Sequence, residues 1–319
     1  LSGIQSFTRS RKKCSTALNH ILTKLFSPII QMTENPYFSY AEAFERITNE
    51  GKNLPLGGIP SAKRKKPTEG SPVVLIMSPH PDDECIIGGF PLRLMQETGV
   101  HVVNVAVTLG SNPERKEERL NELKEACDWI GFELQETQPK GLDKINLASR
   151  KENPTEWAEA VKTIVEIIKK WNPKAIFFPH ASDWNLTHIG VHQLTLDALS
   201  CLPTIKTILV ETEYWGQMKN PNLMVEISTV QLSMLLSALS HHRGELIRNP
   251  FHLRLPSWMQ DNVRLGAEVV GGQGGHSPSF SFATLYRVNQ WNQGKMSPAW
   301  AGGKMLASEE NSQKALITD

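Results

Sequence analysis

The sequence predicts an α/β fold, Rossmann-like, with a mostly parallel sheet flanked by helices. Two observations carry that expectation. From Val73 onward, apolar runs of strand length alternate with amphipathic stretches of helix length, the pattern of right-handed βαβ units. The runs Val73–Met77 and Ala175–Phe178 are apolar at every position rather than at alternate ones, as strands covered by helices on both faces must be. No Gly-x-Gly-x-x-Gly follows the first run, so the sheet does not offer a dinucleotide site.

At the start of the chain, Leu18, Ile21, Leu22, Leu25 and Phe26 fall at helical spacing after the basic Arg9, Arg11, Lys12 and Lys13. Pro28 stops them, and the segment reads as a short helix docked on protein rather than a membrane-surface or transit segment. A second helix is expected from Ser39, with Glu42 completing a capping box, to Gly51. Residues 51–72, rich in Gly, Pro and Lys and including Lys63-Arg64-Lys65-Lys66, read as a solvated linker. The first strand from Val73 is then followed by a helix over Ile86–Glu97 and a strand over Val102–Leu109.

Asn112 caps and Pro113 starts the next helix, whose stripe is Leu120, Leu123, Cys127 and Ile130 and whose stop is Gly131. Glu133–Thr137 is a weaker strand. Asn153-Pro154 opens a helix with Trp157, Val161, Ile164, Val165, Ile168 and Trp171 on one face, closed by Pro173. The strand from Ala175, a helix capped by Thr187 and running to about Ser200, and a strand over Ile205–Val210 complete five strands joined by crossover helices. Beyond them the pattern is less regular: a helix over Val230–Leu239, His241-His242-Arg243 after it, and a glycine-rich loop ending at His276. The expected organisation is an N-terminal helical extension and linker over residues 1–70, a catalytic domain over 71–294 and a polar tail over 295–319.

A balance of 34 basic against 33 acidic residues, net +1, provides no field to recruit nucleic acid. No apolar run approaches the roughly 20 residues that span a bilayer. The four cysteines, Cys14, Cys85, Cys127 and Cys201, are far apart, which argues against a disulfide framework and for a reducing, cytoplasmic setting. Oligomeric state is not legible.

The chemistry is concentrated in two turns. Ser78-Pro79-His80-Pro81-Asp82-Asp83-Glu84 places a histidine and three acids directly after the first strand, at the edge where open α/β sheets bind ligands. A helix N-terminus explains one or two acids there, but three in succession with a histidine point to a cation. His80 and Asp83 suit a divalent metal, leaving Asp82 to move a proton. The fourth strand delivers His180, Asp183 and His188 to the same edge. His188 and His192 share a helical face, and either completes a three-ligand set.

These residues resemble the PIG-L/LmbE-like deacetylases. Ser78–Glu84 is similar to that family's His-Pro-Asp-Asp-Glu signature, Asp183 and His188 are in register with its Asp-x-His-Pro-Asp-His element, and Arg119-Leu120-Asn121-Glu122 resembles its Arg-x-x-Glu helix, over roughly residues 71–290. The resemblance implies a zinc enzyme that removes an N-acetyl group from an N-acetylglucosamine-type small molecule. His80, Asp83 and His188 would hold the metal, Asp82 would be the base, and Arg119 and His192 would meet substrate. A mixed nitrogen and oxygen ligand set also admits iron(II). Asn185 stands where the family has a histidine, so an oxyanion contact falls to a neutral amide that cannot titrate. Alternatives are cleavage of another bond, such as a phosphoester, on the same ligands, or a catalytically silent sugar-binding domain.

Overall fold

The computed structural model describes residues 35–61 and 67–316. The basic helix expected before Pro28 and the run Lys63–Lys66 lie outside the described residues. The chain divides after Leu54 into two units. In the first, helix α1 (Pro36–Gly51) starts three residues earlier than expected, because Asn35 caps it by accepting from the Tyr37 N–H and Pro36 fits its first turn.

The second unit is an α/β sheet. Strands β1 (Val73–Ser78), β2 (His101–Ala106), β3 (Glu133–Glu136), β4 (Ala175–Pro179) and β5 (Thr207–Thr212) are all parallel, in the spatial order 3-2-1-4-5. The order reverses between β1 and β4, and a crevice opens at their carboxyl ends. Helices α2 (Asp83–Ile86), α3 (Gly89–Thr98), α4 (Lys116–Ile130), α5 (Leu147–Glu152), α6 (Pro154–Trp171) and α7 (Leu186–Ser200) connect these strands. Asn112 and Pro113 begin a short 3-10 turn ahead of α4, and Gly131 ends α4 in the left-handed region. On α6, Trp157, Ile164, Val165 and Ile168 are buried against Leu75, Val103 and Ile176, as their spacing requires.

The helix expected over Ile86–Glu97 is two helices, α2 and α3. The break at Ile87–Gly88 is filled by Tyr286, whose Oη donates to the Ile87 carbonyl at 2.8 Å and accepts from the Phe90 N–H at 3.1 Å. Backbone groups freed by the break are thereby paired.

Past β5 the sheet continues where the sequence pattern faded. β6 (Leu223–Glu226), β7 (Ala283–Asn292), β8 (Lys295–Pro298) and β9 (Lys304–Leu306) extend it, with β7 antiparallel to β5 and β6, and β9 parallel to β6. Helices α8 (Thr229–Leu239), α9 (Arg243–Arg248) and α10 (Leu255–Val269) accompany them. Two differences from the expectation follow. Within the stretch read as linker, the Ile59 carbonyl accepts from Trp129 Nε1 and the Gly57 N–H donates to Ser240 Oγ. The segment read as a polar tail contributes two strands.

Candidate metal centre

Strand β1 delivers its polar turn already shaped. Ser78 Oγ donates to Asn104 Oδ1 at 2.6 Å, and Thr108 Oγ1 donates to the Pro79 carbonyl at 2.6 Å, which ties the start of the turn to β2 and the residues after it. The His80 N–H then donates to Asp83 Oδ2 at 2.8 Å, folding the carboxylate back toward the imidazole. His80 Nδ1 lies 3.6 Å from the same oxygen. From β4, the turn and α7 bring His188 Nε2 to 3.4 Å from Asp83 Oδ2. One ligand atom from each of His80, Asp83 and His188 falls within 4.8 Å of the others.

The donor set fits a divalent cation. His188 Nε2 is buried and makes no hydrogen bond, with the Asp83 carboxylate at 3.4 Å as its nearest partner; a cation between the two would meet both. Behind the ring, Nδ1 faces Asp183 Oδ2 at 3.4 Å, and Asp183 Oδ1 accepts from the Asn185 N–H at 2.8 Å. Burial pushes Asp83 up, but His188 and His80 outweigh it and hold the carboxyl below its usual range. For His188, burial favours the neutral ring, and the Asp83 and Asp183 carboxylates reverse that.

Asp82 sits beside the cluster outside the ligand set. Burial raises its carboxyl well above the ordinary range, Asp83 adds to this, and Arg119 and His242 oppose it. Its backbone has φ 114°, which costs a residue with a side chain about 1–3 kcal/mol.

Other expected site residues fall elsewhere. His192 does not reach the cluster: its Nδ1 donates to the Pro179 carbonyl at 2.8 Å and its ring stacks on Phe178, so it braces the end of β4 behind the site. Its substrate-binding role is not supported by this placement. His180 is likewise committed, with Nε2 donating to the Gly216 carbonyl at 2.8 Å. Burial depresses both imidazoles. Asn185, rather than Thr187, caps α7, its Oδ1 accepting from the Thr187 N–H at 2.9 Å. Arg119 does not pair with Glu122. Its Nη2 donates to the Pro81 carbonyl at 3.0 Å and lies 3.8 Å from Asp82, and its Nη1 lies 3.7 Å from Glu245. Gly110, at φ +85°, leaves the room it occupies, since a Cβ there would stand 2.4 Å from Nη1.

Sequence reading missed Glu213, Glu245 and the pairing of Glu84 with His242. Glu213 follows β5 directly and lines a small cavity with Asp83, Asp183 and His188. Its position one residue past a parallel strand was the available signal. Arg115, Arg119 and Arg248 surround Glu245.

A Rossmann-like sheet whose switch point gathers two histidines and a carboxylate, with a further acid beside them, is an arrangement that could hold a metal ion. Residues 75–199 match the family described as PIG-L: GlcNAc-PI de-N-acetylase, so the resemblance carried by the motifs holds. No match to a curated protein sequence was found. Among solved structures, the chain is similar to the N,N'-diacetylchitobiose deacetylase of Pyrococcus horikoshii, with 17% identity, 78% of this chain and 92% of that one covered, and a TM-score of 0.51. It is also similar to a deacetylase of teicoplanin biosynthesis, with 16% identity, coverage of 68% and 98%, and a TM-score of 0.50. A third is 4-carboxy-2-hydroxymuconate hydratase from Pseudomonas putida, with 14% identity, coverage of 68% and 95%, and a TM-score of 0.50. At these identities the likeness is one of fold, and the presence of a hydratase makes the point that the sheet alone does not choose the reaction.

Proposed function

We propose that the protein is a metal-dependent hydrolase, zinc being the metal, that removes an N-acetyl group from an amino-sugar conjugate of small size. The observation that carries this reading is the buried Nε2 of His188, which makes no hydrogen bond and faces Asp83 and His80, next to an acid that is free to act. His80, Asp83 and His188 would hold the cation; iron(II) suits the same set. When bound, such a cation polarises the acetyl carbonyl and lowers the pKa of water to about 7. Asp82 takes the proton from the attacking water and returns it to the departing amine. Asn185 Nδ2, the one donor its helix cap leaves free, is the amide available to the oxyanion. Residues 71–294, with the strands beyond them, form the catalytic unit. Among the described residues no helix is long and apolar enough to cross a membrane. The free Cys85, Cys127 and Cys201 support a reducing, cytoplasmic setting.

Metal analysis of the purified protein, followed by an acetate-release screen across N-acetylglucosamine conjugates after reloading with zinc or iron(II), tests the reading. His80→Ala, Asp83→Ala and His188→Ala should lose the metal, whereas Asp82→Asn should keep it and lose about 100-fold or more in kcat. Stoichiometric metal in His188→Ala would remove that ligand. Release of phosphate in place of acetate, or binding without turnover at saturating metal, would replace the reaction.

A further inference from the structure

The peptide bond between Pro81 and Asp82 is gripped on both sides. Its carbonyl oxygen accepts from Arg119 Nη2 at 3.0 Å, and its N–H donates to Glu84 Oε2 at 3.0 Å. The residue that follows it, Asp82, carries the positive φ of 114°. A backbone in that region persists only where its surroundings over-determine it, and the two hydrogen bonds fix the plane of the peptide from which Asp82 hangs.

Glu84 is itself held. Its second oxygen, Oε1, accepts from His242 Nε2 at 2.8 Å and from Cys85 Sγ at 3.1 Å. Glu84 is 0% and His242 1% exposed, so this hydrogen-bonded pair is sealed in the interior. Apolar residues of similar volume would usually stabilise such a position as well or better, so stability is a poor reason for its presence. Its location provides a better one, because each oxygen of Glu84 has a separate task. One fixes the carboxylate to the chain after α8, and the other reaches back to the Asp82 N–H. On the opposite side, Arg119 is steadied by Glu245 at 3.7 Å.

We propose that His242 and Glu84, with Arg119 as their counterpart, are positioning residues that impose the strained backbone of Asp82 and so aim its carboxylate at the reacting water. This rests on the reading of Asp82 as the proton acceptor. His242 acts through Glu84.

The test uses His242→Leu, His242→Gln and Glu84→Gln in the full-length protein, with metal content, kcat and KM measured for each. Glutamine at 242 can present a donor where Nε2 of the imidazole stood. The expected result is a fall in kcat of about 10- to 100-fold in His242→Leu, at unchanged metal content and KM, with partial recovery in His242→Gln. A folded His242→Leu of parental kcat overturns the proposal, as does a loss of metal and a rise in KM that accompany the fall in kcat. If His242→Leu does not fold, Glu84→Gln, which keeps the volume and removes one acceptor, is read by the same criteria. Hydrogen exchange at the Asp82 amide separates this proposal from the assigned reaction. Faster exchange in His242→Leu supports the clamp even if the parent releases no acetate, and unchanged exchange overturns it even if the parent is active.

Discussion

Glu213 is 3% exposed, and its two oxygens have unequal fates. Oε2 accepts from the Met218 N–H, while Oε1 is buried with no partner. Burial pushes the carboxyl from its ordinary 4.5 up to about 7, and Asp183 adds to the shift. The folded protein therefore holds a proton that the unfolded chain has released, and the associated stability is full below about pH 4.5, falls between there and about 7, and is gone above. That difference amounts to up to about 3 kcal/mol. Glu213→Gln keeps an acceptor for Met218 and cannot ionise, so its urea-denaturation stability, without metal, should be flatter from pH 5 to 8 and exceed the parent's at the alkaline end. Parallel curves for the two proteins would show that Oε1 finds solvent. Glu213 illustrates what a sequence conceals. His80, Asp83 and His188 were legible because histidines and acids crowd the few residues after two strands, whereas Glu213 follows its strand beside Glu211 with no histidine near. Glu84 and His242, 158 residues apart, become a pair only once α8 has packed against α2.

Helix α7 shows how an element can absorb a residue expected to do chemistry. Asn185 was singled out as an oxyanion donor because a histidine was missing, yet its Oδ1 satisfies the Thr187 N–H at the start of the helix. The two roles use different atoms and can be separated. Asn185→Ala loses both, with about 1 kcal/mol of stability going with the cap. Asn185→Asp keeps the capping oxygen and places a negative charge at a helix N-terminus, where it is favoured, but has no amide hydrogens. The expected outcome is parental thermal stability in Asn185→Asp with kcat lower by about 100-fold or more. If Asn185→Asp is as active as the parent, Asn185 is a cap and another group meets the oxyanion. Arg119 has a similar ambiguity: its side chain was expected at the substrate, and the structure ties it to the Pro81 carbonyl and Glu245. Arg119→Lys retains charge but cannot make both contacts, so kcat should fall with little change in KM. A rise in KM alone would return Arg119 to substrate binding.

Across the whole molecule, the five parallel strands were legible from unbroken apolar runs, and the sheet beyond β5 was not. β8 is exposed along its length and β9 has three residues, so neither carries a periodic signal. A buried cation adds to the β6–β9 pairing and the core contacts of Leu306 and Ala315 in holding the C-terminal segment. Arg93, 0% exposed on α3, donates through Nε to Glu97 at 2.7 Å, through Nη1 to the Glu226 carbonyl at 3.0 Å, and through Nη2 to the carbonyls of Ala307 and Glu310 at 3.0 and 2.8 Å. The guanidinium thus joins the first crossover helix, β6 and the residues after β9 in one network, with every acceptor but Glu97 a main-chain group that the sequence cannot mark. Deleting residues 304–319 removes three of the guanidinium's acceptors, the carbonyls of Leu306, Ala307 and Glu310, together with β9, and leaves the charge short of partners. Breaking a buried charge's pairing costs about 3–5 kcal/mol, so the truncated protein should be destabilised by at least that much in urea. Arg93→Met in the truncated background removes the uncompensated charge and should recover part of the loss, although the same substitution in the full chain is destabilising because it strands the carbonyls. This opposite sign is the signature of coupling between Arg93 and the segment. Additive effects, or a truncated protein as stable as the parent, would mean that the last residues lie on the sheet without holding it.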